Sequence, residues 1–296
     1  MPFLLLGGTG QVGQEIRKLS GQGFKVVAPG HATADLCDRA KIKQVLDAER
    51  WGAVINAAAY TDVDGAETNQ DKAFLVNGQA PKWLAEETAD RGIPIIHIST
   101  DYVFDGRKGT PYLESDLTGP INVYGRSKLA GEEGVRTKNL RHVVIRSSWV
   151  YSAQGKNFVR TILRLAAERD RLTVVADQRG CPTAASDIAK ACIQVATNCA
   201  SNPDGVPYGL YHFAGGGEAT WFEFACAIVE FAADHLQRVP QITPISTREY
   251  PTAAIRPLDS RLDYSAIARS FGAMPRPWRQ ALRQTVEHLL NKRDIK

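Results

Sequence analysis

The chain has 296 residues, 44% hydrophobic and 23% charged, with 36 basic against 32 acidic side chains and a formal net charge of +4. That composition excludes disorder and allows one large domain or two smaller ones. A charge this dilute, with no run of five like charges, leaves no footprint for nucleic acid. Five cysteines without a C-x-x-C pair suggest neither a disulfide framework nor a thiolate zinc site. The opening Met1-Pro2-Phe3-Leu4-Leu5-Leu6 lacks the basic flank of a signal peptide, and no apolar run reaches the roughly 18–20 residues of a membrane helix. A small-molecule partner and a reducing, cytoplasmic compartment are the expectations.

In the first half, short apolar runs alternate with longer amphipathic ones, the pattern of strand-helix-strand units around a parallel sheet. Strands are expected at Phe3–Leu6, Phe24–Ala28, Ala53–Asn56, Ile93–Ile98, His142–Arg146 and Leu172–Val175. They are mostly apolar and bounded by Gly, Pro, Asn or Asp, as expected of strands buried on both faces. Helices are expected at Gln14–Leu19, at Ala40–Arg50 with Ile42, Val45 and Leu46 on one face, and at Phe74–Arg91, interrupted by Pro81. Beyond about residue 150, Gly and Pro cluster in Ser201–Gly209, Gly215–Gly217 and Pro240–Pro257. The helices expected there are Trp221–Leu236, N-capped by Thr220, and Trp278–Lys292. The reading is α/β: a Rossmann-type, doubly wound parallel sheet in residues 1–150, with segments returning from about 172–200. Residues 151–296 form mainly a smaller α/β substrate-binding lobe.

Between the first strand and first helix, Gly7, Gly10 and Gly13 form G-x-x-G-x-x-G around Gln11 and Val12. Alone, three glycines mark a flexible loop; in this place they read as a turn whose helix N–H groups meet a pyrophosphate. Gly7 permits the tight turn, Gly10 clears a Cβ from the phosphates, and Gly13 lets the helix approach the sheet. The second strand runs into Ala28-Pro29-Gly30-His31 with no carboxylate for an adenosine 2′-hydroxyl. NADPH is therefore admitted, although no arginine in that stretch demands it. Asp35, followed by Leu36, reads either as an adenine contact or as a turn or capping aspartate. The small side chains of Asn56-Ala57-Ala58-Ala59-Tyr60-Thr61 suit a flat ligand or plain packing equally.

The fourth strand leads into Ser99-Thr100-Asp101-Tyr102-Val103-Phe104, and Tyr124-Gly125-Arg126-Ser127-Lys128 opens a helical run. Tyr124 and Lys128, four residues apart, share a helix face. A neighbouring ammonium favours the phenolate, so Tyr124 is expected at a lowered pKa, donating a proton to a carbonyl oxygen as hydride reaches the carbon. Y-x-x-x-K alone is common; after a glycine turn and a strand-end threonine it is specific.

These pieces, Gly7–Gly13, Asn56–Tyr60, Ser99–Thr100 and Tyr124–Lys128, resemble the extended short-chain dehydrogenase/reductases. Within them the chain is similar to the dTDP-4-dehydrorhamnose reductases along nearly its whole length. Matching segments are Asp35-Leu36, residues 56–64, 99–104 and 146–151, Asp177-Gln178 with Gly180, Pro182 and Thr183, and Arg256-Pro257 with Ser260 and Leu262. The resemblance implies NADPH- or NADH-dependent reduction of the C4 ketone of dTDP-4-dehydro-L-rhamnose, the last step to dTDP-L-rhamnose, which supplies polymers such as a lipopolysaccharide O-chain.

It further implies that Gly10, Gln11 and Val12 touch the dinucleotide phosphates, Asp35 and Leu36 the adenosine end, and Ala58, Ala59, Tyr60 and Thr61 the cofactor's centre. Tyr124 is implied as proton donor, Lys128 as holder of the nicotinamide ribose and tuner of Tyr124, and Thr100 as partner of the reacting oxygen. Thr100, Asp101, Tyr102, Trp149 and Arg256 would hold the sugar nucleotide. Read without the resemblance, Trp149 is a core residue or, if exposed, an apolar platform for a deoxysugar; Arg256 is a diphosphate partner or a surface arginine. Some members are homodimers with Mg²⁺ at the interface. Glu15 fits the first ligand position, but later ones fall on Ser186 and His288, with Asp187 and Glu287 beside them, so Glu15 reads instead as a charge at a helix N-terminus. A dehydratase would carry Asp-Glu after the threonine, where this chain has Asp101-Tyr102. A 4-epimerase and a non-catalytic dinucleotide-binding regulatory subunit are the remaining alternatives.

Overall fold

The computed structural model describes residues 1–291. In its first half β1 (Phe3–Leu6), α1 (Gln11–Lys18), β2 (Val26–Val27), α2 (Arg39–Asp47) and β3 (Ala53–Asn56) form a continuous βαβαβ run. Then come α3 (Val63–Thr68), α4 (Gln70–Phe74), a π-helical turn at Leu75–Gln79, α5 (Ala80–Ala89), β4 (Ile95–Thr100), α6 (Val123–Lys138) and β5 (His142–Ser147). The second half supplies β6 (Val150–Tyr151), α7 (Phe158–Glu168), β7 (Arg171–Val175), β8 (Arg179–Gly180), β9 (Thr183–Ala184) and α8 (Ala185–Ser201). It continues with β10 (Gly209–His212), β11 (Ala219–Thr220), α9 (Trp221–Ala232), β12 (Gln241–Ile245), α10 (Ser265–Phe271) and α11 (Trp278–Asn291).

The Rossmann-type sheet has six parallel strands in the order β10-β5-β4-β3-β1-β2. Side chains alternate across it. Leu5, Ile55 and Ile145 face Ile16 of α1, Ile188 and Val195 of α8, and Ile267 and Phe271 of α10. On the opposite face, Leu4, Leu6, Val54 and Val144 meet Ile42, Val45 and Leu46 of α2, Leu84 of α5 and Val135 of α6. A fully buried aliphatic side chain of this kind contributes about 1.5–3 kcal/mol. A separate core joins α7, α9 and α11 through Val159, Phe224, Ile228, Leu282 and Val286.

Two strand expectations need correcting. Leu172–Val175 lies in β7, which pairs with β12 outside the main sheet; Arg171 and Thr173 are exposed, so this strand is buried on one face only. The sixth strand of the sheet is β10, whose Gly209 and buried His212 hide it from an apolar-run search. The edge strand β2 is only Val26–Val27 rather than Phe24–Ala28. β4 begins two residues later than expected and continues to Thr100, which pairs with Ser147. Pro81 does not break a long helix: the π-helical turn shifts the hydrogen-bond ladder and leaves Pro81 in the first turn of α5.

Thr220 caps α9 as expected, in a reciprocal box with Glu223. That helix ends at Ala232 and a 3₁₀ turn follows at Ala233–His235. Lys292, the expected end of the last helix, lies outside the described residues. No helix among the described residues is long and apolar enough to cross a membrane.

Candidate active site

At Gly7 the backbone has φ +79°, and a Cβ there would stand 2.4 Å from the Ala58 nitrogen. A Cβ on Gly13 would stand 2.1 Å from the Gly7 oxygen, so α1 packs onto the turn itself, closer than an approach to the sheet. Gly10 is different: its Cβ would meet only the Gly7 oxygen, at 3.4 Å, and the space beyond is open. Gly10 is also the N-cap of α1 and brings no side-chain cap, so the first N–H groups of the helix stay available for an anion. This cradle fits a dinucleotide pyrophosphate. Val12 packs against the core, and the Gln11 side-chain oxygen accepts from Ser152 (3.1 Å) and Asn157 (2.9 Å). Both side chains are thus engaged away from the turn, and only the main chain of these residues is left to a ligand there.

Beyond β2, an Asp35 carboxylate oxygen accepts from the Cys37 N–H at 2.9 Å and lies 3.4 Å from His31, as a turn aspartate does. The Leu36 side chain belongs to the core. After β3, Ala58, Ala59 and Tyr60 are half-buried and Thr61 is exposed. The Ala58 N–H donates to Asn56 at 3.1 Å. Tyr60 is held through its backbone: its N–H donates to Asn77 at 2.8 Å and its carbonyl accepts from the same amide at 3.0 Å.

Thr100, at the end of β4, accepts from the Tyr102 N–H at 3.2 Å and donates to Asp101 at 3.0 Å. Tyr124, in the first turn of α6, meets Tyr102 edge to face at 5.8 Å. Lys128 is 2% exposed and donates to the Ile98 carbonyl at 2.7 Å. The expectation that Tyr124 would have a lowered pKa is not met: burial pushes it up to about 12, against the pull of a hydrogen bond with Thr100, and the Asp101 charge adds to the rise. Lys128 is desolvated as well, its pKa pulled down to about 8 with Glu132 opposing. Asp101, 2% exposed, is pushed up to about 7 by burial, with Ser260 and Thr100 opposing. Burial also raises Tyr102.

Two residues past Ser147, Trp149 has φ +46°, the sole non-glycine residue in the left-handed region among those described. It is half-buried. Its indole stacks on Trp221 at 3.6 Å and 6°, and a Cβ on Gly180 would stand 2.3 Å from it. Trp149 is thus one of a pair of stacked indoles packed against the second core, nearer the core reading than the exposed platform. Arg256 is half-buried and paired with Asp64 at 2.7 Å and with the Ala254 carbonyl at 3.0 Å. The same guanidinium holds Asp64 below the usual carboxylate range, and its charge is felt at Tyr102.

A dinucleotide cradle, a strand-end hydroxyl and a tyrosine above a buried lysine thus share one edge of the sheet, where parallel sheets bind ligands. The model of the RmlD substrate binding domain family matches residues 1–291. The chain belongs to this family. Its relatives include the dTDP-4-dehydrorhamnose reductase of Sinorhizobium fredii, 41% identical over 290 residues and covering 98% of each chain. Among solved structures, the dTDP-4-dehydrorhamnose reductase of Clostridium acetobutylicum superimposes with a TM-score of 0.90 at 33% identity, covering 98% of this chain and 99% of that one. The enzyme of the same name from Bacillus anthracis, in complex with NADP, gives 0.89 at 32% identity, covering 97% and 100%.

The magnesium ligand set implied for some RmlD-family members does not assemble. Glu15, Ser186 and His288 do line one cavity of about 190 Å³, but Lys18 and Arg276 line it too. Glu15 is bonded to Lys18 at 2.6 Å, and Arg276 to Asp187 at 2.7 Å and to Ser186 at 3.3 Å. Glu287 is exposed outside this lining. A hard dication needs several free oxygen ligands, and no group of three or more His, Cys, Asp or Glu side chains converges among the described residues. These residues do not fit the ion. Nor is Glu15 an N-terminal charge: α1 begins at Gln11 with no acid in its first turn.

Sequence reasoning missed Asn77 and Trp221. Asn77 carried a usable signal, a polar residue within an apolar helical pattern, and it is fully buried. Trp221 meets Trp149 only through the tertiary fold.

Proposed function

We propose that the protein reduces the C4 ketone of dTDP-4-dehydro-L-rhamnose to dTDP-L-rhamnose with a nicotinamide dinucleotide. The observation that carries this reading is the convergence of Thr100 and Tyr124 above buried Lys128, beside the open face of Gly10. End-to-end similarity to reductases of that name supports it.

Gly7, Gly10, Gly13 and the main chain of Gln11 and Val12 would hold the cofactor's phosphates, Asp35 and Leu36 its adenosine end, and Ala58–Thr61 its centre. When bound, it supplies the hydride. Tyr124 keeps its proton at neutral pH, with its pKa near 12, so it is an acid from the outset and gives that proton to the C4 oxygen as the carbon is reduced. Thr100 hydrogen-bonds the same oxygen and orients it. Lys128 has one of its three N–H bonds on Ile98 and turns the others to the nicotinamide ribose. Its nearby positive charge stabilises the phenolate left on Tyr124. Asp101 and Tyr102 hold sugar hydroxyls, Trp149 walls the apolar side of the deoxysugar, and Arg256 pairs with the diphosphate, sharing its fork with Asp64. Five thiols with no disulfide among them suit a reducing cytoplasm.

The test is the loss of NADPH or NADH absorbance when the sugar nucleotide, made in situ, is added to folded protein. Oxidation with formation of dTDP-rhamnose supports the reading. Unchanged absorbance with both cofactors sinks it.

A further inference from the structure

The second strand runs into Ala28-Pro29-Gly30-His31, with neither an acid to hold an adenosine 2′-hydroxyl nor an arginine to hold a 2′-phosphate. The fold brings an arginine there from another element. Arg17 lies in the last turn of α1 and is exposed. Its neighbour Lys18 is engaged with Glu15 at 2.6 Å, whereas the Arg17 guanidinium has no ion pair or hydrogen bond among the described residues.

Gly8 shows where its stem runs. A Cβ on Gly8 would stand 2.9 Å from the Ala28 Cβ and 3.4 Å from the Arg17 Cδ. The aliphatic part of Arg17 therefore passes over the glycine turn beside Ala28, which leaves its exposed guanidinium within a side chain's reach of the seam between that turn and the end of β2. In a parallel sheet wound this way, that seam receives the adenosine ribose. The nearby carboxylates are engaged: Asp35 with the Cys37 N–H and His31, Asp38 with the N–H groups of Ala40 and Lys41 at the start of α2. An exposed arginine in a last helical turn also complements the helix dipole. That role needs no contact with Gly8 and does not account for the missing acid.

We infer that Arg17 recognises the 2′-phosphate of NADPH and sets a preference for NADPH over NADH. This rests on reading the glycine turn as a dinucleotide site. A guanidinium meets a phosphate through paired charge-assisted hydrogen bonds, and an adenosine without that phosphate leaves the arginine solvated.

The experiment is calorimetric titration of the full chain with 2′,5′-ADP and with 5′-ADP, which needs no turnover. Wild type is expected to bind 2′,5′-ADP roughly 10–100-fold more tightly. Arg17→Gln should bring the two within about twofold while leaving 5′-ADP unchanged, and Arg17→Lys should keep part of the discrimination because it keeps the charge. Equal binding of the two by wild type, or full discrimination in Arg17→Gln, overturns the inference. Failure of wild type to bind either nucleotide overturns the dinucleotide reading beneath it. Because the assay does not use the sugar, its outcome is independent of whether the ketone is the substrate.

Discussion

Asn77 returns both backbone hydrogen bonds of Tyr60, accepting its N–H at 2.8 Å and donating to its carbonyl at 3.0 Å, and the same amide donates to Ser127 at 3.0 Å. The Ser127 hydroxyl in turn donates to the Tyr124 carbonyl at 2.8 Å. One buried amide thus fastens the segment after β3 to the helix that carries Tyr124 and Lys128. Asn77→Ala leaves buried groups unpaired, each at a cost of roughly 1–3 kcal/mol. Urea unfolding should show that loss, and KM for NADPH should rise as Ala58–Thr61 loosens. A variant with wild-type stability and wild-type KM would mean that the amide fastens nothing.

Tyr124→Phe removes the proton donor and keeps the ring against Tyr102. Turnover should fall about 10²–10⁴-fold, the range of a single general acid, while NADPH binding measured by fluorescence stays near wild type. Residual activity above a tenth of wild type would point to a different acid.

Two buried groups give the protein its pH dependence. Lys128, with its pKa pulled down to about 8, loses its ammonium as pH rises through that value, so kcat/KM should have an alkaline limb there. Asp101 is raised from 3.8 to about 7, so the folded state binds its proton more tightly than the unfolded chain. That contribution to stability is complete below the unfolded value and is lost as pH rises through about 7. Denaturation of wild type and Asp101→Asn should therefore show the variant gaining relative stability between about pH 4 and pH 7. A constant difference across that window would show that Asp101 is ionised throughout.

Behind Lys128, Glu132 and Arg146 form an ion pair whose side chains are 0% and 2% exposed, with contacts of 2.9, 3.2 and 2.7 Å. Arg146 also lies over the Phe104 ring at 4.9 Å. Glu132→Gln leaves a buried guanidinium without its counter-charge, for which about 3–5 kcal/mol of lost stability is expected. Chemical denaturation checks this. A loss under about 1 kcal/mol would show that Arg146 finds compensation elsewhere.

What could be read from the chain beforehand was whatever is written locally. Gly7, Gly10 and Gly13 announce a turn between a strand and a helix, and Tyr124 with Lys128 announce a shared helix face; both follow from spacing. The strand β7 was assigned to the main sheet because Leu172, Val174 and Val175 are apolar, although exposed Arg171 and Thr173 already carried the alternation of a strand covered on one face. β10 was invisible because His212, fully buried in the sheet, breaks the apolar run. The Trp149–Trp221 stack and the passage of Arg17 over Gly8 join residues through the tertiary fold, with no local mark. The pKa of Tyr124 was expected in the wrong direction because spacing reveals a neighbouring charge but not the burial that outweighs it.

In the proposed reaction Tyr124 and Lys128 serve a hydride transfer to the C4 ketone of the deoxysugar. The decisive measurement is NMR of the product made from dTDP-4-dehydro-L-rhamnose with NADPH carrying deuterium in both positions of the nicotinamide carbon that gives up hydride. The expected product is dTDP-L-rhamnose carrying deuterium at C4, one equivalent for each NADPH oxidised, with none of it formed by Tyr124→Phe on the same timescale. An epimerised or dehydrated sugar with no net oxidation of NADPH, or rhamnose without deuterium at C4, would contradict it.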